Sequence, residues 1–274
     1  MSATPRPGEE KEMSFFEHLD ELRAHLIRAI LGVVVAAIFI FASTDFVFRH
    51  ILFAPVKSDF ATYQALCWLS EKMGTDALCF SPRNIEIKTF EMGEAFLLHI
   101  QVCIFGGLIL AFPYVFWEMW RFVKPGLYHN ERQATRWVVL VCSFLFSLGV
   151  LFGYYVLAPF SINFLLNYDL PVVNETGNFL KVSSYLSYLI MFTLPMGLTF
   201  ELPIVVYYLA KIGIMSPEFM RTYRRHAIVL ILIVAAVITP PDVISQTIVG
   251  LPLYILYEIS IGIAARTYKP EEQA

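Results

Sequence analysis

The sequence predicts an all-α membrane protein with six transmembrane helices, both termini on the cytoplasmic side, and a short helical hairpin at the end. Three observations lead there. Hydrophobic residues make up 57% of the chain and charged residues 16%, against roughly 45–50% and about 25% in soluble domains. Too few polar side chains remain to cover a soluble surface. Apolar stretches also recur at lengths that cross a bilayer, and the lysines and arginines collect in alternate loops.

A hydrocarbon core of about 30 Å takes about 20 helical residues at about 1.5 Å each. Segments 24–44, 93–113, 137–157 and 186–210 meet this length. The next stretch, 227–238, reaches only about 18 Å at the same rise and stops at Thr239-Pro240-Pro241-Asp242. The last, 245–264, contains Pro252. These two are short membrane helices or a hairpin that dips in and returns, and either option leaves the C-terminus on the same side. The membrane domain runs over 14–268, between a disordered polar leader, 1–13, and a tail, 269–274. The mixed charge of the leader does not fit a cleavable signal peptide. Ser14-Phe15-Phe16-Glu17 reads as a capping box that opens the first helix. Gly213 reads as a helix stop, and Ser216-Pro217 as a restart with an N-cap serine and first-turn proline.

Orientation follows from the basic residues. With the N-terminus inside, 14 of the 20 lysines and arginines are cytoplasmic and 6 are outside. Five of those six, Arg49, Lys57, Lys72, Arg83 and Lys88, fall in one long loop, where the rule counts least. The outer loops are then 45–92 and 158–185. Both carry apolar residues, such as Phe46, Val47, Phe48, Ile51, Leu52 and Phe53, which predicts packing on the membrane face.

Several function classes find no support. Nucleic-acid binding needs a concentrated basic face, and none is present. There is no glycine-rich phosphate loop, no nucleophile beside a base and no metal spacing among the six histidines, so no cofactor, metal or enzyme is predicted. Cys103 and Cys142 fall inside apolar helices and read as small buried hydrophobes. Cys67 and Cys79 share the first outer loop. Facing an oxidising space they would form a disulfide; otherwise they are two thiols in a membrane-apposed loop.

The informative residues are charged. A carboxylate in hydrocarbon costs about 2.5–3.5 kcal/mol on insertion scales and suggests function. Glu201 lies in Leu194-Pro195-Met196-Gly197-Leu198-Thr199-Phe200-Glu201-Leu202-Pro203, near mid-membrane, with no basic residue within a turn. It reads as a docking point for another membrane helix or as a group lining a wet cavity. The alternative is a protonated acid bonded inside its own bundle. Glu258 is a weaker case, close enough to the inner face to snorkel. Thr239 and Gln246 offer polar partners at the outer end of the hairpin. Glu21 has Glu17 and His25 as its i−4 and i+4 neighbours, and Arg23 points about 200° away. Glu131 also lacks a basic partner on its own helix. Two such carboxylates suit a ligand with two positive charges. A solvated face for Glu21 and a helix-dipole partner for Glu131 are the bland alternatives.

The blocks Ser14-Phe15-Phe16-Glu17-His18-Leu19-Asp20-Glu21-Leu22-Arg23, Phe122-Val123-Lys124-Pro125-Gly126-Leu127-Tyr128-His129-Asn130-Glu131-Arg132, Phe200-Glu201-Leu202-Pro203 and Thr239-Pro240-Pro241-Asp242-Val243-Ile244-Ser245-Gln246 stand in one order along the chain. Together they resemble the TatC family of twin-arginine translocases, from about residue 13 to 268. The resemblance implies a six-helix, glove-shaped receptor in a bacterial inner membrane. Such a receptor binds the twin-arginine signal peptides of folded precursors and works with single-span TatA and TatB partners and further copies of itself, driven by the proton-motive force. It also implies that Glu21 and Glu131 meet the two arginines, that Arg23, Phe122 and Pro125 shape that site, and that Glu201, Thr239 and Gln246 are partner-helix sites. Pro55 and Asp242 match outer-loop positions. The chain departs from the pattern at Trp117-Glu118-Met119-Trp120-Arg121, where relatives more often carry glutamine and a small residue. Glu118 is a third acidic contact, or else Arg121 and Lys124 pair with Glu131. Ala236 stands where methionine is common, and the first outer loop is longer than usual. The rival reading is a proton-coupled secondary transporter using Glu201 and Glu258.

Overall fold

The computed structural model describes residues 15–74, 79–80, 86–123, 135–166, 179–239 and 242–268. Helix α1 (Phe15–Ala42) leads through a three-residue turn, α2 (Thr44–Phe46), into a π-helical segment, Val47–Leu52, and a 3-10 turn, Ala54–Val56. Helix α3 (Ala61–Met73) and the short strand β1 (Glu86–Lys88) complete the first connection. Helix α4 (Glu94–Val123) follows. Helix α5 (Thr135–Phe152) passes through a π-helical stretch, Gly153–Leu157, into α6 (Ala158–Leu166). Strand β2 (Phe179–Lys181) pairs in parallel with β1 and opens α7 (Val182–Thr199). The chain continues as α8 (Leu202–Lys211), α9 (Pro217–Thr222), α10 (Arg224–Ile238) and α11 (Val243–Thr267).

Among the described residues five helical stretches are long and apolar enough to cross a membrane: Phe16–Ala42, Glu94–Val123, Trp137–Leu166, Val182–Lys211 and Val243–Thr267. They coincide with five of the six expected spans but extend further. The sixth, α10, has 15 residues and so measures about 22 Å. It is longer than its apolar run because Arg224, Arg225 and His226 form its first turn. The expected outer loop from 158 starts later in the structure, because α6 carries the helix on to Leu166.

Local sequence explains the breaks. Ser216 accepts a hydrogen bond from the backbone N–H of Phe219 at 3.1 Å, with Pro217 in the first turn, as expected of an N-cap. Gly213 adopts φ 79°, a conformation that costs other residues strain. Ser14, the capping-box serine, lies outside the described residues. At the 199–202 break Pro203 stands in the first turn of α8; a proline there has no N–H to continue the ladder from α7.

Helices α1 and α4 run antiparallel along their length and are tied at both ends. One tie joins His25 to Glu118, and the other joins Thr44 to His99 at 2.7 Å. Between them a Cβ on Gly107 would stand 2.9 Å from the backbone nitrogen of Ala37, so only glycine allows this approach. Helices α5 and α7 meet as closely. A Cβ on Gly149 would be 2.8 Å from the Cα of Gly197. Without a hydrophobic driving force between helices in lipid, such small-residue contacts supply the packing. Phe146, Leu157, Leu186, Phe192 and Met196 fill the core beside this crossing. The outward faces of α1, α5 and α10 carry bare Ile, Leu, Val and Phe, as a lipid-facing surface requires.

Candidate functional site

The acidic end of α1 is built on a helical repeat. His18, Glu21 and His25 are three and four residues apart and share one face. That face meets the last turns of α4. The ring of Phe122 stacks on His18 with centroids 4.6 Å apart and lies 6.3 Å from His25. His25 Nδ1–H donates to Glu118 Oε2 across 2.6 Å, and both side chains are buried, 6% and 1% exposed. Arg121 lies 3.5 Å from the other oxygen of Glu118 and over the ring of Trp117. Glu21 is half-buried and has neither ion pair nor hydrogen bond among the described residues. Arg23 is exposed on another face of the same helix.

The sequence-predicted residues therefore divide. Glu21, Arg23 and Phe122 are brought to the same end of the α1–α4 pair. Pro125, Glu131 and Lys124 lie outside the described residues. Glu118 is held inside with Arg121 beside it, while the alternative pairing of Arg121 and Lys124 with Glu131 involves residues outside the described ones. The His25–Glu118 contact escaped sequence reasoning. The available signal was a carboxylate flanked by Trp117, Met119 and Trp120, which a water-exposed acid has no reason to be.

A second acidic position sits where α7 breaks. Glu201 is 9% exposed, and neither of its oxygens makes a hydrogen bond of ordinary geometry among the described residues. Its nearest polar neighbours are the Cys142 thiol and the backbone of Phe146 on α5. It lines an apolar groove of about 500 Å³ between α4 and α8, with Phe116, Trp120, Val205, Tyr208 and Ile212. The buried indole N–H of Trp120 also lacks a partner among the described residues, and Trp120 borders the same groove. A donor and a carboxyl group without a hydrogen bond of ordinary geometry among the described residues thus stand in an apolar wall.

The hairpin residues are otherwise disposed. Thr239 Oγ donates to the carbonyl of Ala235 at 2.9 Å, and Gln246 Nε2 to that of Leu232 at 3.2 Å. Neither lines the Glu201 groove. Glu258, close enough to the inner face to snorkel by sequence, is partly exposed, pairs with Arg224 at 2.8 Å and accepts from the Tyr254 hydroxyl at 3.0 Å. Asp242 caps α11 by accepting from Ser245 N–H at 2.6 Å, and its other oxygen is buried without a hydrogen bond among the described residues.

At the opposite ends of the helices the connections are pinned by hydroxyls. Tyr63 donates to the carbonyl of buried Pro55 at 2.9 Å, Tyr154 to Ile51 and Tyr185 to Leu52. Burial pushes the Tyr63 phenol well above its ordinary pKa. Cys67 and Cys79 form a disulfide, which settles the alternative left open above. Lys181 bridges to Glu91 at 2.6 Å, and that contact raises the lysine pKa. Cys103 and Cys142 are free and buried. No group of three or more metal-binding side chains occurs among the described residues.

Fold and site together define a multi-pass helical membrane protein with one carboxylate at a helix end that has no ion pair among the described residues and another in a groove wall. A family model described as Sec-independent protein translocase protein (TatC) matches residues 17–252. The chain is 40% identical over 263 residues to the Sec-independent protein translocase protein TatC of a Blattabacterium from Periplaneta americana, covering 94% of this chain and 97% of that one. It is 31% identical to TatCy of Bacillus subtilis over 96% of this chain and 93% of that one. A crystal structure of the twin arginine translocase receptor TatC superposes with a TM-score of 0.71 at 31% identity, covering 90% of this chain and 99% of that one. The chain belongs to the TatC family of Sec-independent protein translocases.

Proposed function

We propose that this chain is the receptor for twin-arginine signal peptides, set in a bacterial cytoplasmic membrane with both termini inside. The observation that carries this reading is Glu21, a half-buried carboxylate without a counter-charge among the described residues, on the helix face whose His18 stacks on the ring of Phe122. The physical reason is geometric. An arginine guanidinium forms paired hydrogen bonds to a carboxylate, where lysine offers a point charge. Each charge-assisted bond contributes about 1.5–3 kcal/mol. The family motif assigns the second carboxylate to Glu131, with Pro125 and Arg23 shaping the approach.

The Glu201 groove is the proposed seat of a single-span partner of the TatA or TatB kind. A helix offering a polar side chain would satisfy Glu201 and the Trp120 N–H together while covering an apolar wall. Thr239 and Gln246 would mark a separate polar contact near the hairpin turn, and further copies of the chain would complete the complex. Transport would draw on the proton-motive force. The competing transporter reading needs Glu258 as a free proton relay, and its pairing with Arg224 and Tyr254 speaks against that.

The test is photo-crosslinking of a twin-arginine precursor to membranes carrying Glu21→Ala. The expected result is loss of the crosslink with normal insertion. Lysine in place of one signal-peptide arginine should weaken it modestly, and lysine in place of both should nearly remove it. An undiminished crosslink in Glu21→Ala would contradict the assignment.

A further inference from the structure

We propose that His25 and Glu118 are a positioning pair for the Glu21 site, and that Glu118 is not itself a ligand for the incoming guanidinium groups. The inference rests on the receptor reading above and deepens it. By sequence, Glu118 is as good an acidic ligand as Glu21, because both are carboxylates near the same end of the helix pair. Their surroundings differ sharply. Glu118 is 1% exposed, with one oxygen occupied by His25 at 2.6 Å and the other faced by Arg121 at 3.5 Å. A guanidinium arriving from water would have to displace both side chains and strip a buried carboxylate of its partners. Glu21, one helical turn from His25, has no ion pair or hydrogen bond to displace among the described residues.

The pair also fixes geometry. Buried polar contacts between membrane helices define register, because an alternative register leaves a polar group unsatisfied in an apolar wall. His25 holds the last turns of α4 at one height on α1, and the Phe122 ring, stacked on His18 at 4.6 Å, fixes their rotation. Glu21 lies between the two histidines on that face. The position of Phe122 on the face that carries Glu21 is therefore set by a bond one turn away, and Arg121 is drawn to Glu118 and the Trp117 ring.

The experiment measures binding of a fluorescent twin-arginine peptide, and of its twin-lysine analogue, to the purified full chain in nanodiscs. Glu118→Gln keeps a hydrogen-bonding partner for His25 and should bind within about twofold of wild type, whereas Glu118→Ala and His25→Ala should each weaken binding about tenfold. The double variant His25→Leu/Glu118→Met replaces the pair by packed apolar side chains, a change that buried pairs often tolerate. It should recover binding to within about threefold, with the preference for arginine over lysine intact. If Glu118→Gln loses as much as Glu118→Ala, or the folded double variant stays impaired, Glu118 is a ligand and the proposal is overturned. It is also overturned if all variants bind like wild type. Thermal unfolding supplies a readout that needs no peptide: the single-variant shifts in Tm should be strongly non-additive in the cycle, and additive shifts would refute the pairing. If wild type shows no preference for arginine over lysine, the receptor reading fails, while the unfolding cycle still decides the pair.

Discussion

At the scale of single residues, this protein tolerates what most membrane proteins avoid. Glu201 keeps a buried carboxyl group without a hydrogen-bond partner among the described residues. An unsatisfied buried polar group costs about 1–3 kcal/mol, so its presence works against the stability of the isolated chain. Replacing it with leucine should leave thermal stability equal or higher, by up to about 3 kcal/mol, and should abolish co-purification of a single-span partner. A stability loss with partner binding intact would mean that Glu201 serves the chain's own packing. The residue scale is also where sequence reasoning was least even. That Glu21 has no counter-charge on α1 was legible from helical spacing. That Glu118 is already satisfied was not, because its partner lies 93 positions away on another helix.

At the scale of elements, helix ends and breaks carry most of the design. The N-cap at Ser216 and the turn at Gly213 were readable from local chemistry, whereas the interruption before Pro203 falls inside a stretch that reads as one span, 186–210. The extents of the helices were less so. Apolarity marks the part of a helix that sits in lipid, whereas the hydrogen-bond ladder continues into polar flanks, so α1 begins well before its apolar stretch and α4 runs on to Val123. The connection after α1 is stapled by the Cys67–Cys79 disulfide, which closes a loop at a sequence separation of 12. A closed loop of that size contributes about 3 kcal/mol by chain entropy. Changing both cysteines to serine should lower Tm accordingly, and in wild type without reductant only Cys103 and Cys142 should label after denaturation. An unchanged Tm would show that the tyrosine hydroxyls, not the disulfide, hold this connection.

At the scale of the whole molecule, the two acidic positions lie on different surfaces of one scaffold. The α1–α4 pair presents Glu21 at its end, and the α4–α8 groove presents Glu201 in its wall. Helix α4 belongs to both, so a change in α4 reaches the two sites together. The proposed topology places the end bearing Glu21 in the cytoplasm. Cysteine reporters placed near residue 12 and near residue 270 should both react only after permeabilisation of the inner membrane, while a reporter in the 57–59 turn reacts before it. Labelling of the two termini from opposite sides would overturn the arrangement and, with it, the cytoplasmic location of Glu21.

Composition and periodicity alone determined that this chain is a helical membrane protein, roughly where its helices lie, and which carboxylates have no neighbour of opposite charge on their own helix. These are local properties: a side chain three or four positions away either carries a charge or does not. Only the tertiary structure decided which carboxylates stay unpaired once helices from distant parts of the chain pack together. It gave Glu118 to His25 and Glu258 to Arg224, and among the described residues it left Glu21 without an ion pair and Glu201 without a hydrogen bond of ordinary geometry. Contacts between helices depend on crossing geometry set by close approaches such as Gly107 to Ala37 and Gly149 to Gly197, and no spacing within a single helix encodes them.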